Sequence, residues 1–98
     1  MFILSTSRKV KWFAGLAELF LAIPVIGGST IIAFGWTPLL GMLIIHTLGI
    51  MYAADESKMK TGHIVGFAAS ILGFIPFLGM LLHFVTSIRL IYEASTNN

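Results

Sequence analysis

The chain contains no cysteine, which excludes disulfides, thiolate metal ligands and thiol nucleophiles together. Charge is almost as scarce. Only 10% of residues are Asp, Glu, Lys or Arg, whereas 57% are apolar and the mean hydropathy is +0.96. So few charges cannot cover a water-soluble fold of 98 residues, and the composition points to lipid. No glycine-rich loop of the kind that cradles phosphate is present, because the glycines sit inside apolar segments. Convergent metal ligands at the usual spacing are missing, as is a serine beside a base with an orienting third group. Haem ligation by His46 and His83 would need matched depths, which their positions do not give, and no attachment motif exists. The expectation is a non-enzymatic protein with no cofactor and no metal.

Long apolar stretches occupy most of the chain. A bilayer core about 30 Å thick takes about 20 apolar residues per helical crossing, so the length allows about three crossings and no separate soluble domain. The expected fold is all-α: one small transmembrane domain over 1–98, with spans at about 12–34, 38–54 and 64–85. Pro24 and the Gly27-Gly28 pair interrupt the first span, for which one crossing kinked at Pro24 is preferred over a helix that stops near Ile26. Trp36 reads as an interfacial residue in a turn, Thr37 as a helix cap and Pro38 as the first helical position. The third span carries a kink at Pro76. Beyond it, residues 86–94 form an amphipathic helix expected to lie at the interface.

Arg8, Lys9, Lys11, Lys58 and Lys60 then fall on one side, opposite Arg89. The positive-inside rule places the N-terminus and the 55–62 loop in the cytoplasm, the protein in the cell membrane and the C-terminus outside. A competing arrangement turns the chain back at Ile75-Pro76-Phe77 and brings Arg89 to the same side. Its arms, about 11 to 14 residues each, are short for a crossing and need protein around them. The basic start is read as an uncleaved signal anchor, because no small-x-small cleavage pattern follows the apolar run. A weak repeat of Pro, two apolar residues and Gly at Pro24, Pro38 and Pro76 is within what this composition produces by chance.

Small residues mark the helix faces that pack. Gly62, Gly66 and Ser70 recur at intervals of four on the third span, with Gly73 close by, and Gly49 and Ala53 do so on the second. Titratable side chains sit on these strips: Glu18 between Ala14 and Ala22, His46 before Gly49, and His83 after Gly79. A polar side chain facing lipid is costly, so Glu18, His46 and His83 are expected to form an intramembrane polar site. Counting about 1.5 Å per residue puts Glu18 and His46 about one and a half helical turns apart in depth, to be paired by a shift of the first helix or through water, and His83 near the outer interface; His63 is also expected at an interface.

Two functional readings follow from different classes. The first is a multi-pass protein that works by helix association, as a homo-oligomer or as an accessory subunit of a larger membrane complex, docking through Gly62, Gly66 and Ser70. The alternative is a homo-oligomeric proton- or cation-coupled transporter or channel using Glu18, with His46 tuning it. Its partners are the lipid bilayer and other transmembrane helices; nucleic acid is not expected, since basic residues so placed suit anionic headgroups. A carboxylate in the first helix of so short a chain resembles the small multidrug transporters, although those have four spans. In size the chain resembles phage holins, whose pore-forming role is a further alternative. The strongly basic tail common in holins is missing here.

Overall fold

The computed structural model describes residues 5–98, the side chain of Pro76 excepted. It is all-helical over these residues: α1 (Thr6–Leu21), α2 (Ile26–Ala33), α3 (Thr37–Asp55), α4 (Thr61–Leu72) and α5 (Pro76–Ser95). Helices α1, α3, α4 and α5 run alternately up and down as a bundle, and α2 bends away from α1 by 98°. The pairings establish the directions. Gly15 of α1 lies against Leu90 and Ile91, and Arg8 against Ala94, so α1 and α5 are antiparallel. Gly62 meets Glu93 while Gly73 meets His83, so α4 and α5 are antiparallel too.

Local chemistry explains each break. The Ser5 hydroxyl accepts from the Arg8 N–H at 3.2 Å and caps α1, and the Glu56 carboxylate accepts the Ser7 N–H at 3.0 Å. At its other end α1 stops at Leu21, because Pro24 has no N–H to continue the ladder. The chain then reverses through a tight turn in which the Ile26 N–H donates to the Pro24 carbonyl at 2.8 Å, with Val25 held at φ 70° and ψ −56°. Gly27 follows, where a Cβ would run into the Leu21 backbone. Only glycine lets α2 fold so closely onto the end of α1. The first apolar stretch is thus two helices meeting at 98°, a far sharper bend than the kink expected at Pro24. Helix α3 starts at Thr37 itself, so Pro38 is its second residue and Trp36, at φ 63°, occupies the capping position.

The third expected span also divides. Gly73 caps α4, and Ile75 takes an extended conformation (φ −86°, ψ 116°), as a residue preceding proline is driven to do. The chain turns back there instead of kinking. Close packing at the turn needs Gly79, where a Cβ would lie 2.6 Å from the Gly73 carbonyl oxygen. Residues 86–94 continue α5 inside the bundle, with Leu90, Glu93 and Ala94 fully buried, so the expected interfacial helix is instead the end of a packed one. The reversal moves Arg89 and the C-terminal end to the side of the α3–α4 loop. Arg8 Nε donates to the Ala94 carbonyl at 2.6 Å, and Lys58 Nζ to that of Asn97 at 3.0 Å, which caps the end of α5 with positive charge.

Polarity is inverted relative to a water-soluble bundle. Lys11, Glu18, His46, His63, His83, Thr86, Ser87 and Glu93 are buried to 1% exposure or less, whereas Phe13, Leu16, Ile32, Leu40, Ile44, Phe77 and Leu81 are exposed. The apolar core is small, built on Ala14, Leu21, Ile31, Leu39, Met42 and Leu90. Two helical segments, Thr37–Asp55 and Phe77–Ser95, are long and apolar enough to cross a membrane, and α1 with α2 would qualify as one broken span.

Candidate functional site

The bundle interior gathers titratable side chains from four helices. Glu18 of α1 stands at the centre: its Oε1 lies 2.8 Å from His46 Nε2 of α3, and its Oε2 is hydrogen-bonded to His83 Nδ1 of α5. His46 uses its other nitrogen, Nδ1, to reach His63 Nδ1 of α4 at 3.0 Å. The order is therefore His83, Glu18, His46, His63. The two outer imidazoles each keep one buried Nε2 with no hydrogen-bond partner among the described residues.

Two glycines make this row possible. The His46 ring lies on Gly66, and the His63 ring lies on Gly49, so closely that a Cβ at either glycine would overlap ring atoms. The imidazoles face each other tilted by 59°, with centroids 5.3 Å apart. Gly62 likewise admits Leu90, and Ser70 is buried with its hydroxyl donating to the Gly66 carbonyl at 2.9 Å. Ala53 is fully buried, and Gly73 borders His83. The small-residue strips thus seat this chain's own helices and imidazoles. Of the expected polar residues, Glu18 and His46 meet directly. His83, expected near an interface, is instead inside the bundle, because the reversal at residues 73–75 brings α5 back beside α1 and α4; His63, also expected at an interface, is enclosed by its packing on Gly49 of α3. His63 was legible in one respect: it shares a face with Gly66 and Ser70 at intervals of three and four.

Donor and acceptor counting restricts the protonation states. An ionised carboxylate only accepts, so both His46 Nε2 and His83 Nδ1 must carry hydrogens toward it. His46 Nδ1 is then an acceptor when the ring is neutral, and His63 Nδ1 must donate to it. In that state both free Nε2 atoms hold lone pairs. The site would carry one uncompensated negative charge, which burial penalises heavily. One added proton neutralises it, either as an imidazolium beside the carboxylate or as glutamic acid beside three neutral imidazoles. These forms differ only in the position of a proton along existing hydrogen bonds.

A second polar cluster lies nearer the basic end. Lys11 Nζ is 3.2 Å from Glu93 Oε1, and Glu93 Oε2 accepts from Arg89 Nε at 2.7 Å and from the Gly62 N–H at 2.9 Å. It ties α1, α4 and α5 together and satisfies one of the open donors at the start of α4. Sequence reading passed over Lys11 and Glu93 as interfacial charges; nothing in their local pattern signals that the α4–α5 reversal pairs them. Among the described residues no group of three or more His, Asp or Glu is arranged to hold a metal ion. Comparison with protein families, with curated proteins and with solved structures finds no match for this chain.

Proposed function

We propose that this is a small multi-pass membrane protein that takes up a proton at Glu18 and relays it along the His83–Glu18–His46–His63 row. The observation that carries the reading is a buried carboxylate bonded to imidazoles on both oxygens, with a third imidazole in line. Ionisable groups inside a membrane bundle are costly and mark pathways. Every member of the row can change charge by passing a proton to its neighbour.

The inverted polarity supports insertion in lipid, since the exposed side chains are large and apolar while the polar ones are enclosed. With α4 turned back, Arg8, Lys9, Lys11, Lys58, Lys60 and Arg89 gather at one end, and the positive-inside rule would place that end, both termini included, on the cytoplasmic side. Helix α4, only 12 residues long, is flanked by α3 and α5, the protein cover that a short membrane segment requires. Assembly through Gly62, Gly66 and Ser70 has no free face to use, since that strip is occupied within the chain.

The test is proton flux. Protein reconstituted into vesicles with a trapped pH-sensitive dye, driven by a potassium diffusion potential, should acidify or alkalinise the lumen faster than protein-free vesicles. Glu18→Gln keeps the size and one acceptor oxygen but cannot ionise, and should return flux to the background. Flux equal to background in the unmodified protein, or unchanged in Glu18→Gln, would refute the relay.

A further inference from the structure

We propose that the cavity at the α2 end of the bundle binds an uncharged, lipid-soluble phenol, whose hydroxyl donates to His83 Nε2. The cavity measures about 460 Å³, within the range of small-molecule sites, and lies between α2 and the ends of α1, α4 and α5. Its walls include Leu21, Gly28, Ile31, Trp36, Phe74 and Phe77; the single titratable side chain on them is His83.

His83 decides the chemistry of the occupant. Its ring is 1% exposed, its Nδ1 is engaged by Glu18, and its Nε2 lies beside Gly73, another residue of the cavity wall. That Nε2 has no partner among the described residues. Since Nδ1 donates to the carboxylate, Nε2 of the neutral ring is a lone-pair acceptor, and a complementary ligand must bring a donor. No Lys or Arg lines the space, so phosphate, sulfate and carboxylate heads find nothing to neutralise them. A hydroxyl is the donor that needs no such compensation. Trp36, Phe74 and Phe77 offer ring faces and edges, which favours a flat aromatic body over a flexible chain. The rim also contains Val25 in its strained turn, and strain of this kind concentrates at ligand sites.

This inference rests on the relay reading only in taking Glu18 as the acceptor of the His83 Nδ1 hydrogen. A bound phenol would sit at the His83 end of the row, and no bond other than the hydrogen bond is formed or broken.

The probe is β-naphthol, with its methyl ether as the partner that keeps the ring and loses the donor. In a Trp12→Phe background Trp36 is the remaining tryptophan, and its quenching reports occupancy of the cavity. Purified protein in detergent should bind β-naphthol about tenfold more tightly than the ether, the equivalent of one buried hydrogen bond. His83→Phe should erase that preference. Gly28→Leu adds a side chain where a Cβ meets open space on the cavity wall, so it should block both compounds without disturbing the bundle. Equal affinity for the two compounds would overturn the proposal and leave a groove for lipid tails. Preference retained in His83→Phe, or binding unaffected by Gly28→Leu, would overturn it as well. Hydroxyl-selective binding without Glu18-dependent flux would remove the relay and keep the site; flux without selective binding would do the reverse.

Discussion

Gly66→Ala is the smallest change that should disable the interior. A Cβ at this position overlaps Cε1 and Nε2 of His46, and that Nε2 is the atom bonded to Glu18. The ring cannot shift without losing its bond to the carboxylate, and Glu18 keeps only His83. Overpacking of a filled interior costs about 1–3 kcal/mol. A weakened buried hydrogen bond to a charged group adds about 1.5–3 kcal/mol. Against this, replacing glycine by alanine inside a helix returns about 1 kcal/mol. The net effect is a loss of about 1.5–5 kcal/mol, set by the first two terms. Gly41→Ala provides the internal control, because a Cβ there meets nothing, and the same helix gain of about 1 kcal/mol should appear undiminished. Reversible unfolding in mixed micelles, followed by Trp12 and Trp36 fluorescence, would separate the two. If Gly66→Ala unfolds at the same denaturant fraction as Gly41→Ala, the imidazole is not seated on that glycine, and the placement of the whole row is wrong.

Glu56 gives a pH dependence outside the membrane-spanning helices. The Ser5 hydroxyl, followed by the Ser7 N–H, holds its carboxyl below the ordinary value of 4.5. A lowered folded-state value contributes stability that is fully present above 4.5 and lost as pH falls through the folded value, so Glu56→Gln should flatten the acid side of the stability profile. Val25, exposed and held at φ 70°, should gain from glycine: Val25→Gly relieves about 1 kcal/mol of backbone strain and should raise the unfolding midpoint, whereas a fall would show that the valine side chain is needed.

Helical content, the apolar exterior and the inward placement of Glu18 and His46 follow from features visible in the chain itself: hydropathy, small-residue spacing and the cost of a polar group in lipid. The path of the chain does not follow so directly. Pro24 and Pro76 each announce a break, but a proline sets only where a ladder is interrupted, not the angle afterwards. At Pro24 the angle depends on the turn at Val25 and on Gly27 clearing the Leu21 carbonyl; at Pro76 it depends on Gly73 and Gly79 meeting across the turn. The apolar run over residues 64–85 reads as one span because length is its strongest signal, and what marks the hairpin lies far away, in Glu93 accepting from Gly62 and Lys11. The position of His83 departs from expectation for the same reason. A depth counted along a straight helix does not apply to a chain that turns back at residues 73–75.

The polar groups are graded along the bundle, and the grading gives the row a direction. At one end stand six basic residues with Asp55, Glu56 and Glu93, an excess of fixed positive charge. In the middle stand Glu18 and the histidines, all of which can change charge. Toward α2 the cavity wall carries no fixed charge at all. His63 stands near Lys11 and the basic end, whereas His83, bonded to Glu18, is further from that field. Coulombic interactions across a weakly polarisable interior are barely screened, so the gradient acts over the whole row. The two unpartnered imidazole nitrogens are therefore inequivalent: that of His63 lies toward the basic end, and that of His83 belongs to the ring that borders the uncharged cavity.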